Sequence, residues 1–271
     1  MRILIRTSKW AIWSRRLASF SLPLAVVPIF MYRAQMMTTE AFHIIEGLAA
    51  SIAILALLMG LVACVRLWFT GDLGWGRAIG GIFLALVCLA PFGLGLFLAL
   101  HYPATTDIST DLADRPPLIS TIPVEQADAA TQEKVDAAFP NVRTRRYQVD
   151  APMLYSLMTK LVDGRGWQVL RSDAPVAAMG QGQVNAVATR LVGWRDEVAI
   201  RVREDQDGAS VAMRSAQIDG LSRDMGANGQ RIEEFLVALD NEVTLLMRNQ
   251  PQPASGDDAD TDATPTDTPA N

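Results

Sequence analysis

The chain has 271 residues, half of them hydrophobic, and a formal net charge of −5 at neutral pH. That length admits one ordinary domain with additional segments, and no block is basic enough for a nucleic-acid footprint. The two cysteines, Cys64 and Cys88, both lie in apolar runs. They read as small packing groups, so neither a disulfide framework nor a metal site is expected, and no cofactor motif appears.

Charge is unevenly distributed. Through Leu100 there are 8 basic and 3 acidic residues, from His101 to Gln250 there are 16 and 21, and the last 21 residues carry 5 Asp and no base. Residues 1–16 form a basic N-terminus. Residues 17–100 hold three apolar stretches, about Leu17–Tyr32, Ile44–Val65 and Ala78–Leu100. A membrane span needs about 20 apolar residues. The second and third meet this, whereas the first is short and broken by Pro23 and Pro28. Its basic front and short apolar core also suit a cleaved signal peptide, but no small-x-small site follows Tyr32. Three spans are expected. His43 and Glu46 share a helix face at the membrane edge and read as an interfacial pair.

The flanking Lys/Arg bias sets the expected orientation. Five bases precede the first stretch, while the chain after the third meets Asp107, Asp111 and Asp114. The N-terminus is therefore expected in the cytoplasm and the C-terminal domain in the periplasm, on a multi-pass protein of the bacterial inner membrane. The lipid bilayer is its first partner.

Residues 101–123, rich in Pro, Asp and Thr, read as an extended connector. Residues 124–250 read as a soluble α+β domain. A short helix is expected over Thr131–Phe139, an edge strand over Val142–Val149, and a helix from Pro152 to Val162 with Leu154, Leu157, Met158 and Leu161 on one side. A strand starts at Trp167. Three runs, about Gln183–Leu191, Glu197–Glu204 and Ala209–Ser215, form a predicted antiparallel meander with turns at Gly193–Asp196 and Asp205–Gly208. Pairing Glu204 with Ala209 sets Val202 against Val211 and Ile200 against Met213. Pairing Val192 with Glu197 sets Val187 against Val202. This register puts Arg190, Arg201, Arg203 and Arg214 on the opposite face, as a cradle for an anionic or lipid ligand or a wet face neutralised by acids such as Glu204 and Asp219. The last helix, from Asp224 or Met225 to Met247, carries the stripe Ile232, Phe235, Leu236, Leu239, Val243, Leu246. Ser222 or Asp224 is its natural cap. Two helices are thus expected on one sheet face. Residues 251–271 have the composition of a disordered acidic tail.

Two blocks resemble the family known as domain of unknown function 1499. One is Thr106–Asp111 (Thr-Asp-Ile-Ser-Thr-Asp) followed by Pro116-Pro117, within which Asp107 and Asp111 match. The other comprises Arg214, Ser215, Gly220, Ser222, Asp224, Gly226, Asn228, Arg231 and Ile232. Gln217 and Ile218 depart from the family's Ser-Arg pair, and Arg223 reads as an insertion. The resemblance covers about His101–Met247 and implies no activity. It does imply that bacterial members are often envelope proteins.

Most of the second block has a structural reading: Gly220 and Gly226 turn the chain, and Ser222 and Asp224 cap the helix. Asn228 and Arg231, with Arg214, are the expected rim for a ligand or another envelope protein. Catalysis is the alternative, through polar residues of the 214–232 corner. Ser215 and Ser222, however, have no histidine near them in the sequence, because His43 and His101 flank membrane segments.

Overall fold

The computed structural model describes residues 7–120, 128–176 and 180–249. Its first three helices, α1 (Lys9–Arg33), α2 (Thr39–Thr70) and α3 (Trp75–His101), run up, down and up as one bundle. Small residues form the seams: Ala11 meets Ala63 and Ala78, Ala18 meets Ala56 and Ala85, and Ala25 meets Ala49, Ala53 and Cys88. Small side chains let backbones approach closely, which is how helices associate without a hydrophobic drive. A Cβ on Gly81 would collide with the Ser14 hydroxyl, and that hydroxyl donates to the Ala56 carbonyl at 2.8 Å. The bundle's outer faces expose Leu, Phe and Trp.

Among the described residues, α2 and α3 are long and apolar enough to cross a membrane. The expectation of three spans thus holds for two helices. The first stretch is a continuous 25-residue helix that runs through Pro23 and Pro28. It packs along both partners but includes Arg15 and Arg16, which cut its apolar length.

The remaining elements are β1 (Asp107–Ser109), α4 (Ala129–Ala138), β2 (Arg145–Tyr147), α5 (Ala151–Gly164), β3 (Gln168–Asp173), β4 (Gln181–Thr189), β5 (Arg195–Asp205), β6 (Gly208–Gln217) and α6 (Ala227–Asn249). The sheet is antiparallel throughout, in the order β1-β6-β5-β4-β3, with β2 paired to the other half of β6. This is an α+β domain. Helices α5 and α6 cover one face, where Leu154, Met158, Phe235, Leu236 and Leu239 meet Val184, Val198, Ile200, Val211 and Met213. Local signals set the helix starts. Asp128 accepts from the Thr131 amide at 2.8 Å and Asp150 from the Met153 amide at 2.9 Å, which satisfies orphan donors of the first turns. Trp167, entering β3, stacks on Phe235 with ring centroids 5.7 Å apart.

Two features differ from the sequence reading. The β5–β6 register is as expected, with Val202 against Val211 and Ile200 against Met213. The β4–β5 register is not: Val187 opposes Glu197 and Val184 opposes Ile200, a slide of five residues. The turn comes earlier, over Arg190–Trp194, closed by the Arg190 amide on the Trp194 carbonyl at 2.8 Å. An odd slide exchanges the faces of a strand. It sends Val184, Ala186 and Ala188 to the helices and Asn185 to the other face, where Glu197 accepts from its amide at 2.9 Å. A buried carboxylate without that partner would be costly, so polar satisfaction overrides the larger apolar side chains.

The second difference concerns residues 107–120, read as connector. Asp107–Ser109 is an edge strand of the sheet, with Asp107 against Ala216 and Ser109 against Arg214. Residues 110–120 then cross the polar face as a strap.

Candidate functional site

The strand-to-helix corner is built around buried charges on the helix side of the sheet. Asp224 is fully buried, and its carboxylate accepts from the amides of Gly226 and Asn228, each at 3.0 Å. Burial pushes this carboxyl up, the two amides pull it back, and the net direction is upward. Asp224, not the exposed Ser222, caps α6. Gly226 has φ 83°, and a Cβ there would lie 2.6 Å from the Tyr102 ring. Gly220 has φ 73° in open space.

Around this cap the motif residues saturate one another. Arg231 donates to Asp196 at 2.7 Å, to Asn228 at 2.8 Å and to Ser215 at 2.9 Å. The Ser215 hydroxyl donates to Asn228 Oδ1 at 2.8 Å, and Asn228 Nδ2 donates to the Thr106 carbonyl at 3.0 Å. Arg190 grips both oxygens of Asp196, at 2.6 and 2.7 Å, and the Asp224 carbonyl at 2.8 Å. Burial pushes the Arg231 guanidinium down from its ordinary value. Arg190 therefore sits on the helix side, away from the other three arginines, because the register slide moves it there.

Arg201, Arg203 and Arg214 do share the opposite face, but β1 and the strap meet them with acids. Arg214 grips Asp107 at 2.8 and 2.9 Å, and Arg115 adds a third bond at 3.0 Å. Arg201 reaches Asp114 at 3.2 Å and its carbonyl at 2.5 Å, while Arg203 reaches Asp114 at 2.6 Å. Asp111 caps the strap's turn by accepting from the amides of Ala113 and Asp114. The two prolines present carbonyls: Pro116 to Arg214, and Pro117 to Gln183 and Asn185. Glu197 holds the strap at Ile119 and Ser120, accepting from their amides at 2.6 and 2.9 Å and from the Ser120 hydroxyl. Burial pushes Glu197 up, but these donors outweigh it and hold the carboxyl below its ordinary range.

The acids foreseen as partners of the stripe are used differently. Asp219 pairs with Arg195 at 2.6 Å, and the acids on the stripe are Asp107, Asp111 and Asp114. Sequence reasoning missed Asp196 and Glu197. Their signal was present: adjacent acids at the head of an apolar strand face opposite sides, and each requires a buried cation or several donors.

The domain is also joined to the bundle. Arg33, at the end of α1, donates to the carbonyls of Leu191 at 2.9 Å and Arg190 at 3.4 Å. Arg223 donates to the Ala99 carbonyl of α3 at 2.8 Å, and Gln230 to the Tyr102 hydroxyl at 2.7 Å. His101 stacks on Phe97 and meets Tyr102 edge-on. Among the described residues, no group of three His, Cys, Asp or Glu side chains is placed to hold a metal ion.

These features define an α+β domain with a strapped polar face and a buried ionic corner, seated on a helical bundle with two membrane-type helices. The family model described as "Protein of unknown function (DUF1499)" matches residues 107–239, from the start of β1 into the stripe of α6. Over just under half of the chain the protein resembles this family. Neither the curated proteins nor the solved structures contain a match to the chain.

Proposed function

We propose that this is a membrane-anchored envelope protein whose α+β domain is a binding module on the periplasmic side, with the N-terminus in the cytoplasm. The observation that carries the reading is the direct joint between anchor and domain. Only residues 102–106 separate α3 from β1, and Arg33 and Arg223 tie the two parts by carbonyl contacts. A domain presented on a bundle in this way suits recognition of a ligand or another envelope protein.

The corner itself favours structure over catalysis. Ser215 both donates and accepts within the ionic cluster, so its hydroxyl has no base and no free approach. A nucleophile needs an adjacent general base or a lowered pKa, and neither is present there. The binding module's rim is therefore sought outside the cluster that contains Asn228 and Arg231.

Topology is tested by fusing a reporter active only in the periplasm after Gln250. Activity is expected, and an inactive fusion on a stable chain would reverse the orientation. Membrane integration is tested by alkaline carbonate extraction, in which the chain is expected to stay with the membrane. Release into the supernatant would refute the anchor.

A further inference from the structure

We propose that the cleft beside the strap binds a small ligand through an oxyanion, a carboxylate or a phosphate. The inference rests on reading the domain as a binding module and gives that module a site. Among the described residues the strap reaches β4 at Pro117, whose carbonyl accepts from Gln183 and Asn185. Beside it the described residues enclose a cleft of about 440 Å³, within the roughly 300–1,000 Å³ usual for small-molecule sites. Gln183 and Arg201 of the polar sheet face form its floor, and Pro117, Arg171, Asp173 and Val176 also line it.

Arg201 supplies the second, independent observation. Its side chain is only 6% exposed. Two of its nitrogens are held by Asp114, but Nε is buried and has no acceptor among the described residues. A guanidinium has five donors in a fixed fork, and a buried donor left unmet is expensive. Arg201 lines the cleft, so a shift of its side chain toward a ligand there would give Nε an oxygen acceptor. Oxyanions fit best, because bonds between ionised partners are the strong ones.

The ladder brings a second arginine to the same face. Asp173 lies opposite Gln183, which lies opposite Arg201, and Arg171 lies one row away opposite Asn185. Arg171 is paired with Asp173 at 2.5 Å but is 63% exposed, free to turn inward. Three arginines, at 171, 201 and 203, face Asp111, Asp114 and Asp173 here. The local charge is balanced before a ligand arrives, so recognition operates by exchange: Arg171 leaves Asp173 for the ligand, and Arg201 Nε gains an acceptor.

The test uses the full chain in phosphatidylcholine nanodiscs, titrated calorimetrically with inorganic phosphate and, separately, with succinate. A parallel arm uses nanodiscs containing phosphatidylglycerol, with hydrogen exchange of β3 and β4 as the readout. Saturable binding of a free oxyanion supports the site with a soluble ligand. Protection of β3 and β4 only with phosphatidylglycerol supports it with a headgroup. Arg171→Gln, at an exposed position, is expected to weaken binding about tenfold. Arg201→Lys, which keeps the charge on Asp114 but has no Nε, is expected to weaken it at least as much. Wild-type affinity in both variants, or no response in either arm, overturns the cleft. The broader reading is judged apart, by whether wild type and both variants purified from native membranes retain the same bound molecule or protein. Retention by all three leaves a binding module with its site elsewhere, and retention by none removes the module as well.

Discussion

Asp196 is where the domain's stability is most exposed to a single change. Its side chain is fully buried, with Arg190 and Arg231 each 12% exposed around it. It accepts three charge-assisted bonds of 2.6–2.7 Å. Asp196→Asn keeps the shape and removes the charge. Arg190 then retains the Asp224 carbonyl, and Arg231 retains Ser215 and Asn228, but two buried guanidiniums lose their common counter-ion. Breaking a buried pair from one side costs about 3–5 kcal/mol, a large share of the roughly 5–15 kcal/mol available to a domain. Solvent screening scarcely reduces this figure, because all three side chains are nearly enclosed. The assay is hydrogen exchange of the β5 and β6 amides in the full chain in detergent, which reports the opening free energy of the core strands. Adding Arg231→Met to Asp196→Asn removes one stranded charge and is expected to recover about 1 kcal/mol or more, a coupling of the size seen between contacting residues. A loss below about 1 kcal/mol for Asp196→Asn would refute the account. It would mean that the arginines reach water when Asp196 is neutral.

Three further outcomes follow from the same geometry. Gly226→Ala is expected to cost more than about 2 kcal/mol, since positive φ alone costs a side chain roughly 1–2 kcal/mol and the Tyr102 ring occupies the new Cβ position. An unchanged melting temperature would contradict this. Glu197 is held below its ordinary range in the fold. Its contribution is complete above the unfolded value near about 4.3 and is lost as pH falls through the lower folded value. Glu197→Gln should flatten that acid limb of a stability–pH curve, and an identical limb in the variant would exclude Glu197 as its source. Arg33→Ala removes the donor to Arg190 and Leu191, so exchange at 190–194 should quicken while β5 stays protected, and equal exchange rates in the loop would show that this contact does not hold it.

The sequence was most legible where one rule acted alone. The stripe of α6 and the β5–β6 hairpin each follow from local periodicity or turn chemistry, and both are present. It was least legible where two rules competed. In β4 the apolar pattern favoured pairing Val187 with Val202, whereas Asn185 had to reach Glu197 and Arg190 had to reach Asp196. Nothing in a two-residue period announces such distant pairings. The strap was hidden for a related reason. A run of Pro, Asp and Thr has no periodicity, and its order comes from contacts with residues such as Arg214, Gln183 and Glu197, far along the chain. Arg201, Arg203 and Arg214 were recognisable as one set, whereas Arg190 was not part of it, and the counter-charges of the three lay in β1 and that strap. A stripe that looked free is largely neutralised.

The position of the cleft bears on the source of its ligand. The 190–194 loop and the region around Arg223 touch the ends of α1 and α3, which marks that end of the sheet as the one facing the bundle. Arg195 begins β5 at this end, and Arg201 stands six residues further along. At about 3.3 Å per residue the floor of the cleft is roughly 20 Å beyond the contact. The domain has little freedom to bring it back. The five residues between α3 and β1 reach at most about 17 Å when fully extended, and Tyr102 among them is stacked on Phe139 with centroids 5.4 Å apart. With the bundle in a bilayer and β5 running along the bundle axis, the cleft would stand away from the headgroups around its own anchor. This separation favours a dissolved oxyanion, or one carried on a partner, over a lipid of the same leaflet. The nanodisc arms decide between them, and protection that required phosphatidylglycerol around the anchor would show that the domain can lie down on the membrane despite these ties.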